Sequence, residues 1–410
     1  MEDIVLGKQQ EDAIRSIIDF IENSKDLDFG LFGFAGTGKS TIIKKLVEYL
    51  KKNFIDYVIM APTHKARAMV MYNSGLEAFT IHQMLSLFPN VEIKNLDLRD
   101  LDFIKKTKYS RLPYGGVIIC DEASMVNDVL YEYLLKETKS QKSKIIFVGD
   151  EAQLKPVKSN EKSFVFSVKN QVTLTDIYRQ SNNSGILETL SILRTKSLPS
   201  FEESKKIDGS ILIYKDIKSL FVSALPIFKE SIKNEDIFNS KFLAYTNFRT
   251  DALNNKIRQF LFPGNNLFNV GEILTFYDNF SYNNFNFWNS MDYVVKEISP
   301  LETKFIKNFG NITGYTLFLK DYLENINMPI FVIDPNIPKN IIKELAYKIE
   351  SIRNSALEYK YIDKKKSAAY WKDYYELFNS FAVMEDLYCD NRVVKKATFK
   401  YGYATTIHKS

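Results

Sequence analysis

Cysteine is nearly missing from this chain: 410 residues contain two, Cys120 and Cys389, alongside only three histidines and two tryptophans. Two thiols cannot build a disulfide framework, and Cys120 lies inside an apolar run where a buried thiol is ordinary. A reducing interior is the expected setting. Long apolar stretches are missing as well. No run approaches the ~18 residues that would cross a bilayer, and the opening MEDIVLGKQQ has no basic region leading into an apolar one. The expectation is a cytoplasmic protein with no membrane partner. Charge of one sign is also scarce, since 55 Lys and Arg against 50 Asp and Glu leave a net +5. That permits a nucleic-acid groove without demanding one.

What is present is a hydrophobic fraction of 45%, enough for buried cores and contrary to disorder. The length exceeds one compact domain and suggests two or three. Lys, Asn, Ile, Phe and Tyr are abundant, which an AT-rich genome would produce without any function, so aromatic-rich stretches are discounted.

The first third alternates apolar runs with amphipathic stretches, the pattern of a parallel sheet covered by helices. Strands are expected at 29–32, 57–61, 117–120 and 144–148, and a helix at 40–52. In open parallel sheets ligands sit at the carboxyl ends of the strands, so the polar loops that follow these runs converge on one site. The segment 83–116 is longer than a crossover helix requires and reads as a small insertion with a hairpin around Phe88, Pro89 and Asn90. A second sheet begins near Lys241, with a helix at 249–260. Beyond it, 271–400 reads as an insertion carrying helices at 339–359 and 368–381. The aromatic run 277–289 has the composition of a base-stacking surface, but a loop with a half-buried strand is favoured. Lys364, Lys365 and Lys366 read as a solvated turn between helices.

Three motifs carry chemistry. GFAGTGKS (33–40) matches G-x-x-x-x-G-K-[ST] between a strand and a helix. Gly33, Gly36 and Gly38 let the backbone wrap a phosphate, Thr37 and Thr41 belong to the same turn, and the helix start adds positive potential. Lys39 can reach the β- and γ-phosphates, and the Ser40 hydroxyl can ligate Mg²⁺. A Gly-rich turn of no function is the bland alternative, and the flanking strand and helix argue against it. VIICDEAS (117–124) delivers Asp121, a Mg²⁺ ligand, and Glu122, a group to polarise attacking water. An Asp-Glu pair after a strand is commonplace by itself; roughly 80 residues past the phosphate loop it reads as a Walker B site. IIFVGDEAQLKPV (145–157) places Gln153 just past a strand, where it can orient water at a γ-phosphate.

In this order the motifs resemble the superfamily 1B helicases of the Dda and RecD group, with matches running from Gln10 to Ser410. The resemblance implies an α/β fold of two RecA-like P-loop NTPase domains, parallel sheets with flanking helices. Their expected extents are 1–185, with a pin-type insertion at 84–115, and 186–410, with an SH3-like tower and hook at about 271–400. It implies ATP and Mg²⁺, with Gln10 (or, in the other register, Gln9) reading adenine and Arg179 of LTDIYRQ near the γ-phosphate. It also implies a single-strand DNA path: Pro62, Thr63 and His64 of APTHKA; Thr80 and His82 of FTIHQ; Thr246 and Asn247 of LAYTN with Asn254 downstream; Thr405 and His408 of YGYATTIHKS. The implied activity is ATP-driven translocation on single-stranded DNA, 5′ to 3′, in replication, recombination or repair. The motor would be monomeric, acting at single-strand/duplex junctions, with a single-strand-binding or replication protein as a further partner. The family continues past its His-Lys-Ser with Gln-Gly and a final arginine motif, so the second domain is expected to be incomplete at its C-terminus and to need a complementing segment. The alternatives are an ATP- and DNA-binding protein that does not unwind, and a P-loop regulatory ATPase acting on protein.

Overall fold

The computed structural model describes residues 6–89, 103–105, 110–153, 163–176, 204–206, 209–211, 214, 216–234, 240–264, 266–321 and 325–406. They form two compact units, Met1–Lys215 and Asp216–Ser410.

The first unit runs α1 (Lys8–Asn23), β1 (Asp28–Gly33), α2 (Lys39–Lys52), β2 (Tyr57–Ala61), α3 (His64–Ser74), β3 (Phe79–Thr80), α4 (Ile81–Met84), β4 (Leu87–Pro89), β5 (Phe103–Lys105), β6 (Val117–Cys120), α5 (Asp128–Ser140), β7 (Lys144–Gly149) and β8 (Gln171–Leu174). Six strands make one sheet in the order β3-β2-β6-β7-β1-β8, and every neighbouring pair is parallel. The apolar runs are continuous rather than alternating because both faces are covered. In β7, Ile146 and Val148 pack with Ile17 of α1 and Ile43 and Leu46 of α2, while Ile145 and Phe147 pack on the other face with Leu134 of α5. Helix α2 buries Ile42, Ile43, Leu46, Val47 and Leu50, one stripe at helical spacing. Each such side chain stabilises by about 1.5–3 kcal/mol relative to exposure, so the sheet is a rigid base for its loops. The α/β class read from the sequence holds, and β4 and β5 pair antiparallel between β3 and β6 in the chain.

In the second unit, Phe242–Ala244 pairs in parallel with Ala404–Thr406 under helices Ile217–Lys233 and Asn247–Leu261. Between these strands in the chain lies a second sheet of six strands. Its order is Glu302–Ile306, Gly310–Asp321, Asp292–Ile298, Ile273–Phe276, Phe399–Tyr401, with Ile326–Ile333 also on Gly310–Asp321, all antiparallel. Helices Lys339–Glu358 and Lys364–Phe378 follow it.

One expectation is corrected here and another holds. The lysines 364–366 are not a turn: they form the first turn of helix Lys364–Phe378, because the Asp363 carboxylate caps it by accepting from the amides of Lys365 (2.9 Å) and Lys366 (3.1 Å). The same cap starts the helix at Lys364 rather than 368, and it ends at Phe378 rather than 381. The run 277–289 forms a tight hairpin, Phe280–Tyr282 with Phe285–Phe287, turning on Asn283 and Asn284 at φ 47° and 68°. Its Phe280, Tyr282 and Phe287 are buried, so those rings serve the core and the favoured half-buried reading is the better one.

Candidate nucleotide and nucleic-acid site

Because all six strands of the parallel sheet point the same way, their following loops leave from one end of it. Met60 lies opposite Cys120, Cys120 opposite Phe147, and Phe32 opposite Gly149. The phosphate loop after β1, the Asp121-Glu122 pair after β6 and the Asp150 turn after β7 are thereby brought level, with β7 between the other two strands. The APTHKA and TIHQ strings follow β2 and β3, farther along the same edge.

The phosphate loop is shaped by its own residues. Gly36 and Gly38 take φ of 86° and 85°, a region where a side chain is strained. Thr37 is buried and its hydroxyl donates to the Phe34 carbonyl at 2.8 Å. Asp150, also buried, accepts from the Ala35 amide at 3.0 Å and from the Ala152 amide at 2.9 Å, tying the β7 turn to the loop. The Lys39 ammonium donates to the carbonyls of Gly33 (2.7 Å) and Phe34 (3.0 Å), at the place where phosphate oxygens would compete for it. Ser40 is exposed at the start of α2, and the Thr41 amide donates to the Gly38 carbonyl at 3.0 Å.

The two glutamines of α1 divide their work. Gln10 is buried; its side-chain oxygen accepts from the Gly7 amide at 3.0 Å and its nitrogen donates to the Thr37 carbonyl at 3.1 Å. A Cβ on Gly38 would lie 2.0 Å from that nitrogen, so the glycine is required for room as well as for φ. Gln9 instead holds the turn after β8: it accepts from the amides of Thr175 (2.9 Å) and Asp176 (3.0 Å) and donates to the Thr175 hydroxyl at 3.0 Å. Sequence reasoning missed Asp150, and Gln9 as a tie. The only signal for Asp150 was its position beside a strand end, and for Gln9 its place next to Gln10 at a helix start.

Asp121 leaves β6 with its amide donated to the Met60 carbonyl at 2.9 Å, and its carboxylate accepts from the Glu122 amide at 2.8 Å. Burial pushes the Asp121 carboxyl up, opposed by that amide and by Lys39. Glu122 sits in the left-handed region at φ 53°. Burial, and next the negative charge of Asp121, push it up to about 7, with Asp150 adding and Lys39 opposing. A carboxylate so poised can take a proton from water near neutral pH. Gln153 is exposed, and its amide donates to the Asp150 carbonyl at 3.1 Å.

Of the residues expected on a DNA path, Thr63 caps α3 by accepting from the Ala66 amide at 3.1 Å, and Thr80 caps α4 in a reciprocal pair with Gln83 (3.2 and 2.8 Å). Pro62, His64 and His82 are half-buried. Burial lowers both histidines, His64 to about 4 with help from the charges of Arg67 and His82, so both are neutral at neutral pH. In the second unit Thr246 caps helix Asn247–Leu261, accepting from the Arg249 amide at 3.2 Å, and Asn247 is exposed. Asn254 and Thr405 are buried. The Asn254 carboxamide accepts from the Ala404 amide at 2.6 Å and donates to the Ala404 carbonyl at 3.3 Å, so it joins helix to strand. Arg179 and His408 lie outside the described residues.

A family model described as an AAA domain matches residues 5–208. The ATP-dependent DNA helicase dda of Enterobacteria phage T4 is 29% identical over 280 residues, 66% of this chain and 60% of that protein. By these matches and its motif order the chain is similar to the helicases of the Dda/RecD type. The RecD subunit of the RecBCD enzyme of Buchnera aphidicola subsp. Schizaphis graminum is 31% identical over 236 residues, 49% of this chain and 37% of that subunit. The chain thus spans less than two thirds of the length of either relative. A crystal structure of Bacteroides Pif1 bound to ssDNA aligns over 100% of this chain and 84% of that one, with 15% identity and a TM-score of 0.49. No helix among the described residues is long and apolar enough to cross a membrane.

Proposed function

We propose that this chain is the motor of an ATP-dependent DNA helicase, hydrolysing ATP to move along single-stranded DNA in the 5′-to-3′ direction during replication, recombination or repair. The observation that carries the reading is the common edge of one parallel sheet: the phosphate loop, Asp121, Glu122 and Asp150 at its centre, and the APTHKA and TIHQ strings two and three strands away. That arrangement suits a nucleotide and a nucleic acid bound side by side, so a change at the phosphates has a short path to the strand.

In this mechanism the amides of the phosphate loop and Lys39 bind and orient the phosphates, and Glu122 holds and deprotonates the attacking water with Gln153 helping to aim it. Ser40 and Asp121 would hold Mg²⁺, which supplies charge neutralisation at the phosphates when bound. One hydroxyl and one carboxylate suit an ion that keeps its waters and takes its remaining ligands from phosphate. Thr63, His64, Thr80 and His82 would line the strand on the first unit, with Thr246 and Asn247 on the second. Neutral histidines contribute a ring and a hydrogen bond to such a path rather than charge.

The test is phosphate release with and without oligo-dT, followed by unwinding of forks that carry a 5′ or a 3′ tail. DNA-stimulated hydrolysis is expected, and any fork opening, by the chain or with a complementing segment supplied, should favour the 5′-tailed fork. Hydrolysis indifferent to DNA would point instead to a regulatory ATPase.

A further inference from the structure

The aromatic rings of the second unit fall into two groups. Phe276, Phe287 and Tyr293 pack against one another in its core, with Phe276 stacked on Phe287 at 4.7 Å and 8°. Phe242 stacks between Phe221 and Phe228 at 5.1 and 5.4 Å. Two nearby rings do the opposite: Tyr245 and Phe248 are each 83% exposed. They flank Thr246, three residues apart, at the carboxyl end of strand Phe242–Ala244 and the start of helix Asn247–Leu261.

Helix packing does not account for Tyr245. A residue before the cap often staples onto the fourth helical position, but that position is Thr250, a buried polar residue whose hydroxyl donates to the Thr246 carbonyl at 3.0 Å. The surroundings are polar and cationic, since Thr246, Asn247 and Arg249 are exposed. Leu243, 53% exposed and on the same side of the strand as Tyr245, is the feature a protein partner would share. Two bare rings beside an exposed guanidinium match a strand that offers flat bases and phosphates better than an apolar protein face, whose contacts would reject the charge.

We propose that Tyr245 and Phe248 form a base-stacking site for single-stranded nucleic acid, with Arg249 meeting its backbone. The inference rests on the single-strand reading above. Stacking on a ring is tolerant of sequence, as a translocating motor requires, because every base has a π-face.

The experiment measures equilibrium binding of the full chain to oligo-dT and to an abasic strand of equal length over a salt series. Tyr245→Ala and Phe248→Ala should each weaken oligo-dT binding about 5- to 100-fold, leave abasic binding unchanged and keep the salt slope. Arg249→Ala should instead reduce the slope by about one. Phe248→Trp keeps a ring, and its fluorescence should be quenched by oligo-dT even if the alanine variants fold poorly. If the parent binds oligo-dT and the alanine variants match it, the stacking site is wrong while the single-strand reading stands. Equal losses on both strands, or loss of self-association with unchanged DNA affinity, would assign the rings to fold or to protein contact and overturn the proposal. A parent that binds neither strand would overturn the underlying reading itself.

Discussion

The two units treat buried charge in opposite ways. In the first, Asp121 and Glu122 stand side by side where burial raises both, with Asp150 nearby and Lys39 as the cation that opposes them. In the second, Glu272 is fully buried but ion-paired to Arg258, whose guanidinium also donates to the carbonyls of Asn266 (2.6 Å) and Leu267 (3.0 Å) and lies over the Tyr401 ring. Lys241 likewise pairs with Asp292 at 2.6 Å. Matched charges are joints that hold elements in register. Crowded carboxylates beside one lysine are costly to the fold, and a site that gathers a cation and phosphates is the physical reason to keep them.

That contrast can be broken by substitution. The largest effect should be that of Lys39→Ala: hydrolysis should drop on the order of 10³-fold or more, with the thermal midpoint nearly unchanged, because the ammonium serves phosphates and not the core. Equal losses of stability and rate would make Lys39 a structural residue. Glu272→Ala should do the reverse, lowering stability by about 3 kcal/mol in urea titrations by stranding Arg258, while nucleotide affinity of the folded fraction stays put. Glu122→Gln should bind ATP but turn over at least about a hundredfold more slowly. It should also melt at the same temperature or higher, since repulsion from Asp121 and Asp150 is relieved; a clear drop in melting temperature would argue that the carboxylate is a joint after all. Asn254→Ala should cost about 1–3 kcal/mol of stability by orphaning the Ala404 main chain, and filter binding should find its DNA affinity per folded molecule unaltered. The smallest effect concerns acid. His64 is lowered to about 4 in the folded chain against an ordinary 6.5, so the unfolded chain takes the proton first and the stability contribution, complete above about pH 6.5, declines as pH falls toward 4. Melts between pH 7 and 5 should show this decline, and His64→Gln should flatten it.

The first unit was largely legible because buried parallel strands write themselves as short apolar runs, and four of them were placed to within a residue or so. The motif residues Lys39, Ser40, Asp121 and Glu122 stand out because phosphate and water chemistry permits few side chains at fixed offsets from a strand. Less could be read where one carboxamide has two possible uses. Nothing in the letters LGKQQEDAI says that Gln10 turns inward to Thr37 while Gln9 reaches Thr175, since that is decided by burial of the α1 face carrying Ala13 and Ile17. Asn254 is a similar case: the motif resemblance gives it a place on the DNA path, and only the fold shows its carboxamide on the Ala404 main chain. The lysines 364–366 show the limit of charge patterns: three like charges suggested a solvated turn, and one preceding aspartate made them a helix start.

The Gln9 tie to Thr175 and Asp176 spans 166 residues, and it has a consequence in time. During synthesis at about 5–20 residues per second, the first helix must wait roughly 8–30 s for its partner turn to emerge. The strand beside β1 that carries this turn is also the last to join the sheet. Until then β1, which leads into the phosphate loop, has one edge open and the Gln9 tie of α1 is unmade, so a nascent chain should acquire its nucleotide grip late and all at once, after β8 and not when the loop itself is translated.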